Sequence, residues 1–177
     1  QVLLLAPEIG RVPTLAARLA AARGARIAVH PSALADGARL EQWLAVRAGD
    51  AQVLVGTRSA VFAPCPALRG IIIDEEHDAA YKQQDGFRYH ARDLALKRAQ
   101  QAGIPILLGS ATPSLESYHQ VWRGHWQHLR LTARAATTTP PAIHLENMDG
   151  ASASCGMSHE LIRAMRRTLA DGGQTLL

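Results

Sequence analysis

Apolar runs of strand length alternate with stretches of helical periodicity over the first 131 residues. Strands are predicted at residues 2–5, 26–29, 52–55, 70–73 and 104–108. Between them, helices are predicted at 13–22, after a cap at Asp36 with an inward stripe of Leu40, Trp43 and Leu44, at 92–101, and after a cap at Thr112. This alternation is typical of an α/β fold in which helices cover both faces of a parallel sheet.

The pattern changes after residue 131. Residues 132–141 are rich in Thr, Ala and Pro, residues 149–156 are rich in Gly, Ser and Ala, and only residues 143–145 between them look like a strand. An amphipathic helix is predicted at 158–170, followed by the start of a strand at 174–177. We therefore expect one domain at residues 1–131, a linker at 132–157, and the start of a second domain at 158–177.

Composition narrows the class of protein. The chain has 177 residues, 47% of them hydrophobic and 19% charged, with a formal charge of +4, which describes a globular protein and not a disordered one. No apolar run approaches the ~20 residues that span a bilayer, and the two cysteines form no C-x-x-C motif. We expect a cytoplasmic protein without a membrane partner. Because the first methionine is Met148, we also expect the chain to be part of a longer protein.

Carboxylates follow directly after the strand predicted at residues 70–73. In the run Asp74-Glu75-Glu76-His77-Asp78 the acids stand at the carboxyl end of a strand, where open α/β sheets place their ligands. In nucleoside triphosphatases, the first acid supports Mg²⁺ through its hydration shell, and the next orients or deprotonates the attacking water. The alternative is an acidic turn that caps the following helix.

Hydroxyl side chains follow two other predicted strands. Ser110 and Thr112 can hydrogen-bond the carboxylates or His77 on the neighbouring strand end, although Thr112 could serve only as a helix cap. The backbone N–H groups, hydroxyls and guanidinium of Thr57, Arg58 and Ser59 suit a nucleic-acid backbone, although the segment could be an ordinary turn.

Aromatic and cationic side chains interleave at residues 81–92. Three of the 8 aromatic residues lie here on a non-periodic stretch, which suits single-stranded nucleic acid because rings stack on bases while cations meet phosphates. The alternative is that the rings pack the segment onto its own domain. His119, His125 and His128 match no zinc-ligand spacing and are interpreted as surface residues. The candidate DNA contacts are Tyr81, Lys82, Phe87, Arg88, Tyr89, His90 and Arg92.

These motifs resemble those of superfamily 2 helicases. Asp74-Glu75-Glu76-His77 resembles motif II, Gly109-Ser110-Ala111-Thr112 motif III, and Gly56-Thr57-Arg58-Ser59-Ala60 motif Ib. More narrowly, IIIDEEHDAAYKQQDGFRYHARDLA followed by GSATPSLES resembles the PriA family of primosomal replication-restart helicases. The resemblance covers residues 2–131, and in this family residues 81–92 correspond to an aromatic-rich loop that couples DNA contact to ATP hydrolysis.

The resemblance implies a RecA-like P-loop NTPase helicase lobe, use of ATP and Mg²⁺, and 3′→5′ translocation on DNA during replication restart and primosome assembly. It implies catalytic roles for Asp74 and Glu75, with Asp74 holding Mg²⁺ through water beside Glu75, and coupling roles for Glu76, His77, Ser110 and Thr112. It also implies, for the parent protein, Zn²⁺ bound by ligands outside this chain. The implied partners are DNA forks, single-stranded DNA, other primosome proteins, the loader of the replicative helicase and single-strand-binding protein.

The sequence departs from this family in one essential motif. The phosphate loop G-x-x-x-x-G-K-[ST] needs a lysine after a glycine, and neither Lys82 nor Lys97 follows one. We expect the loop to precede Gln1, and we expect the 177 residues alone to hydrolyse ATP negligibly. Two alternatives stay open: a non-catalytic, DNA-binding primosome scaffold whose parent lacks the loop, and a divalent-metal hydrolase built on residues 74–78.

Overall fold

A computed structural model describes residues 1–30, 36–133, 142–148 and 156–176. The chain divides into two compact units, Gln1–His128 and Leu129–Leu177. Residues 134–141 and 149–155, which make up most of the predicted linker, lie outside the described residues.

The first unit is built on a five-stranded parallel sheet. Its strands are β1 (Val2–Leu5), β2 (Ile27–His30), β3 (Val53–Gly56), β4 (Gly70–Ile73) and β5 (Ile106–Leu108), in the order β2-β3-β1-β4-β5. The predicted α/β fold is confirmed. Strands β2 and β3 begin one residue later than predicted, and β5 is shorter because Pro105 has no N–H group for the ladder.

Among the residues that the structure describes, four helices belong to the first unit and one to the second. They are α1 (Arg11–Arg23), α2 (Asp36–Ala48), α3 (Ala91–Ala102), α4 (Leu115–Trp122) and α5 (His159–Ala170). Both α1 and α3 end at a glycine in the left-handed conformation, Gly24 and Gly103, with φ near +60° as a helix C-terminus favours. Two short 3₁₀ turns cover Arg58–Phe62 and Ala79–Tyr81.

The sheet separates two apolar layers. Leu3 and Leu5 of β1 face the layer that contains the alanines of α3 and Val46 of α2, whereas Leu4 faces the layer that contains Val12 of α1. Successive side chains of a strand point to opposite faces, so the short apolar β1 is covered on both sides. Because all five strands are parallel, their carboxyl ends lie at one edge of the sheet.

Two helix predictions are wrong in detail. Ser114, and not Thr112, caps α4, because its hydroxyl accepts a hydrogen bond from the N–H of Ser117 at 3.3 Å. In α2 the predicted inward residues Leu40 and Leu44 are 56% and 48% exposed, and Val46 is buried against the sheet instead. The helix is therefore rotated relative to the predicted stripe.

The second unit contains α5. Its N-cap is Ser158, whose hydroxyl accepts from the N–H of Leu161 at 3.0 Å, and Glu160 pairs with Arg163 on the helix surface. The strands predicted at 143–145 and 174–177 are not found, since the described residues 142–148 and 173–176 have no regular secondary structure. A strand is defined by ladder hydrogen bonds to a neighbour, and the ladders of the described residues join strands β1 to β5 of the first unit to one another. No helix in the described ranges is both long and apolar enough to cross a membrane.

Candidate functional site

The acidic segment begins where β4 ends. The N–H of Asp74 donates to the carbonyl of Leu5 at 2.9 Å, and the N–H of Glu76 donates to the carbonyl of Gly109 at 3.0 Å. Between these two hydrogen bonds, Glu75 has a φ of +49°. Within the described ranges, it is the one residue other than glycine with a positive φ. Such a conformation costs ~1–3 kcal/mol and persists where the surrounding structure imposes it, as it does at many functional sites. Here the hydrogen bonds on both sides of Glu75 impose it.

The carboxylates of Asp74 and Glu75 share a cationic neighbour that the sequence analysis missed. The Arg11 Nη1 atom lies 3.6 Å from Oδ2 of Asp74 and 4.0 Å from Oε1 of Glu75. Arg11 is the first residue of α1, whose first turn has no acidic residue, so the helix dipole disfavours its charge there. An arginine at the start of the helix that follows the buried strand β1 was the available signal. Both carboxylates are about one-third exposed and offer the oxygen ligands that Mg²⁺ takes, directly or through water.

His77 connects the acidic segment to the end of β5. Its Nδ1 atom lies 2.7 Å from the hydroxyl of Ser110, and its Nε2 atom lies 3.3 Å from the hydroxyl of Thr112. The same Nδ1 atom is 3.8 Å from Oε2 of Glu75. The sequence analysis expected Ser110 and Thr112 to reach His77, and the structure brings these side chains together.

Glu76 is the buried centre of a second connection. Its side chain is 1% exposed, and its Oε1 accepts the N–H of Ser114 at 2.7 Å. Its Oε2 accepts from Arg92 Nη1 at 3.0 Å and from the Ser117 hydroxyl at 2.9 Å. Hydrogen bonds to the carboxylate of Glu76 therefore join the acidic segment to α3 and α4. Ser114 and Ser117 were not predicted as site residues, because a helix cap and a serine inside a helix give no separate signal.

Both members of this buried pair stay charged. Burial by itself would raise the pKa of Glu76, but the hydrogen bonds from Ser114, Ser117 and Arg92 outweigh it, and the pKa lies below the usual carboxyl value. Burial would lower the pKa of Arg92, yet its bonds to Glu76 and Asp93 raise it. Arg92 was predicted to contact DNA. Its side chain is only 10% exposed and is committed to Glu76, Ser114 and Asp93, so its position argues against a phosphate contact.

Tyr81 is also placed differently from its predicted role. Its ring is fully buried, and its hydroxyl donates to the backbone carbonyl of Asp74 at 2.6 Å. Burial and the nearby carboxylates, foremost Asp74, raise the pKa of Tyr81 strongly, so the hydroxyl remains a donor at any working pH. The ring has no open face for a base, and stacking by Tyr81 conflicts with the structure.

The rest of the aromatic-rich loop (residues 81–92) forms a small hairpin. Lys82 and His90 make an antiparallel bridge, and the N–H of Gln83 donates to the carbonyl of Tyr89 at 2.8 Å. Phe87 is 78% exposed near the tip, and Lys82 and Arg88 are exposed beside it. These three side chains are open to a ligand.

Two other candidate contacts of the loop are partly enclosed. The half-buried Tyr89 packs edge-on against Phe62 at 4.9 Å and stacks on Phe87 at 6.1 Å between ring centroids. His90 is partly buried, which lowers its pKa and favours the neutral ring, and its buried Nδ1 has no hydrogen-bond partner among the described residues.

The turn after β3 packs tightly. A side chain at Gly56 would collide with the Cβ of Ala60, so the close approach requires glycine. Thr57 is buried, Ser59 is half-buried, and Arg58 Nη1 donates to the carbonyls of Ala80 and Lys82 at 3.0 and 3.1 Å. Of the three predicted DNA contacts here, Arg58 and Ser59 are partly accessible.

Residues 1–121 match the family model of the DEAD/DEAH box helicases. Because the match covers more than half of the chain, the chain belongs to the DEAD/DEAH box helicase family. The fold is also similar to that of a solved structure of the C-terminal domain of Dbp5 from S. cerevisiae, with a TM-score of 0.50 and 15% identity over 72% of this chain and 71% of that one. The predicted RecA-like helicase lobe is confirmed.

Within that family, the chain is most informatively compared with curated relatives called replication restart protein PriA. It is 44% identical to the protein of Haemophilus influenzae and 37% identical to that of Bacillus subtilis, in both cases over 100% of this chain but over only 24% and 22% of the relative. The protein of Synechocystis is 43% identical over 83% of the chain and 18% of the relative. The resemblance to the PriA family is confirmed, and the chain spans about a quarter of these relatives or less.

Membership of a helicase family implies the use of ATP and Mg²⁺, which fits Asp74 and Glu75 at the carboxyl edge of the sheet. In the ranges that the structure describes, no group of three or more His, Cys, Asp and Glu side chains could hold a metal ion by itself.

The charge of Glu76 should stabilise the fold in a pH-dependent way. Because its pKa is lowered in the folded state, its contribution is complete above the pKa of the unfolded chain and is lost as the pH falls through the folded value. Glu76→Gln should cost about 3 kcal/mol at pH 7, where Arg92 loses its charged partner, and the difference from wild type should shrink as the pH falls below the usual carboxyl pKa.

Urea unfolding at a series of pH values measures this difference. The matched control is Glu160→Gln, which alters an exposed ion pair on α5 and should change stability by less than about 0.5 kcal/mol. Equal stability of the Glu76 and Glu160 variants at pH 7 would contradict the importance of the buried pair.

Proposed function

We propose that this chain is the nucleotide-coupling part of an ATP-dependent DNA helicase that translocates 3′→5′ and acts in replication restart and primosome assembly at stalled or repaired forks. The observation that carries the proposal is the position of His77. Its Nδ1 atom lies 2.7 Å from the Ser110 hydroxyl and 3.8 Å from a carboxylate oxygen of Glu75, and its Nε2 atom lies 3.3 Å from the Thr112 hydroxyl. It joins the acids that suit ATP hydrolysis to hydroxyl groups on a different strand end. The names of the curated relatives support the biological setting.

Each acid has a distinct role in this proposal. Asp74 supports Mg²⁺ through its hydration shell, and the bound ion would neutralise charge on the phosphates. Glu75 orients and deprotonates the attacking water, and its carboxylate oxygens lie 4.0 Å from Arg11 Nη1 and 3.8 Å from His77 Nδ1. Since the 177 residues contain no phosphate-loop motif, hydrolysis requires residues of the parent protein that lie elsewhere.

The hairpin and the turn after β3 form the proposed DNA side. Phe87 offers an exposed ring for base stacking, and Lys82 and Arg88 offer charge to the backbone. Thr57, Arg58 and Ser59 line the neighbouring turn, and Glu76, His77, Ser110 and Thr112 couple the two sides.

The remaining assignments follow from the family resemblance. We propose that residues 1–131 form most of the first helicase lobe, 132–157 the interlobe linker and 158–177 the start of the second lobe. We also propose a cytoplasmic parent protein that binds Zn²⁺ through ligands outside this chain. Other primosome proteins, the loader of the replicative helicase and single-strand-binding protein are its proposed partners.

A scaffold without ATPase activity is the second candidate function. The observation that favours it is that neither lysine follows a glycine, so the phosphate-loop motif is not in these residues. An intact parent protein that binds DNA but hydrolyses no ATP would establish this function and exclude the first.

Replacing Glu75 tests the catalytic assignment. In the intact parent protein, Glu75→Gln should leave ATP binding nearly unchanged and lower DNA-stimulated turnover by about 10²–10⁴-fold, because a positioned base is lost. Phosphate release and binding of a fluorescent ATP analogue measure the two effects. Glu116→Gln, a change of an exposed acid in the first turn of α4, is the control and should behave as wild type. Normal turnover of Glu75→Gln would remove Glu75 from the mechanism.

Replacing the exposed ring tests the DNA side. Phe87→Ala should weaken binding of single-stranded DNA by about 5- to 100-fold, since one base-stacking contact contributes ~1–3 kcal/mol, and should leave the melting temperature unchanged. Fluorescence anisotropy measures the affinity. The control is Leu107→Ala, which removes a half-exposed apolar side chain from β5. If both variants bind DNA as the wild type does, the ring of Phe87 is not a stacking platform.

A further inference from the structure

Arg58 binds the backbone at the beginning of the aromatic-rich loop. Its Nη1 group donates to two carbonyls, those of Ala80 and Lys82, at 3.0 and 3.1 Å. Both carbonyls belong to the end of the 3₁₀ turn Ala79–Tyr81, where backbone acceptors lack partners within the turn. The other end of the turn is capped by Asp78, whose carboxylate accepts from the N–H of Ala80 at 2.7 Å. Side chains therefore bind both ends of the turn. Asp78 directly precedes the turn, whereas Arg58 belongs to the segment that follows β3.

The turn carries Tyr81 into the core. The hydroxyl of this residue reaches the backbone carbonyl of Asp74 at 2.6 Å, and its ring is fully buried among apolar side chains of the layer that includes Ile73. Asp74 is the residue assigned to Mg²⁺. A chain of direct contacts thus runs from Arg58 through the turn and Tyr81 to Asp74.

Arg58 bridges the carbonyls of Ala80 and Lys82, and this bridge is called the clamp below. Its chemistry suits the clamp better than a phosphate contact alone. One guanidinium nitrogen bridges two carbonyls, while Nε and Nη2 make no hydrogen bond to other described residues and keep donors for a nearby backbone phosphate. A lysine keeps a positive charge that can still meet a phosphate, but its ammonium group ends one atom short of the position of Nη1.

We propose that Arg58 and Tyr81 are positioning residues that fix Asp74 relative to the aromatic-rich loop, so that DNA bound on the loop changes the rate of ATP hydrolysis. This inference rests on the proposed helicase function. It assigns Tyr81 a role inside the protein instead of on DNA, and it gives Arg58 a structural partner in addition to any phosphate that it meets.

The test compares turnover with DNA affinity in the intact parent protein. Three variants are made: Tyr81→Phe keeps the ring and removes the hydrogen bond, Arg58→Lys keeps the charge and removes the clamp, and Arg58→Gln removes both. We expect Tyr81→Phe and Arg58→Lys to bind single-stranded DNA within about 2-fold of wild type. At saturating DNA, both should lose about 5-fold or more in turnover, the factor that corresponds to one hydrogen bond.

The combined outcome separates this inference from the proposed function. If the wild-type parent shows no DNA-stimulated ATPase activity, the proposed function and this inference both fail. If the wild type is stimulated and Arg58→Lys is normal while Arg58→Gln loses only DNA affinity, Arg58 is a phosphate contact and the clamp is overturned. Normal stimulation of Tyr81→Phe likewise overturns the role of Tyr81. A double variant, Arg58→Lys with Tyr81→Phe, should lose no more turnover than the stronger single variant, because both act on the same path.

Discussion

The buried carboxylate of Glu76 is the interaction on which the organisation of the site depends. It accepts hydrogen bonds from Arg92 of α3 and from Ser114 and Ser117 at the start of α4. A carboxylate taken out of water is costly unless its oxygens are fully paired, so this residue can be buried only while the three elements keep their places. The acidic segment, the end of the aromatic-rich loop and the segment after β5 therefore have one common fixed point.

Because of this constraint, the aromatic-rich loop is attached to the acidic segment at both of its ends. Its first residue, Tyr81, is bonded to Asp74, and its last, Arg92, is bonded to Glu76. The exposed tip with Phe87 is the proposed DNA contact, while both ends are attached to the segment that carries the proposed catalytic acids. His77 adds a third connection, to Ser110 and Thr112. Short paths of direct hydrogen bonds thus join the loop to these acids, and in our proposal DNA bound at the tip acts through them.

Much of this arrangement follows from sequence, because parallel strands align their carboxyl ends. Strand β4, the acids after it and the meeting of His77 with Ser110 were predictable on that ground. The burial of Tyr81 and Arg92 was not. Interleaved aromatic and cationic residues have the same pattern whether they bind DNA or fill a core, and only tertiary packing separates the two. The cap of α4 was misplaced for a related reason: Thr112 and Ser114 both suit a cap, and contact with His77 engages the first.

Amide hydrogen exchange of the intact parent protein tests the central claim, that DNA contact on the loop is transmitted to the acids through these bonds. Exchange is compared with and without single-stranded DNA, in the absence of nucleotide. DNA should slow exchange in the loop and also at the amides of Glu76 and Ser114, which lie on either side of the fixed point. Protection confined to the hairpin of residues 82–90, with Glu76 and Ser114 unchanged, would contradict the account.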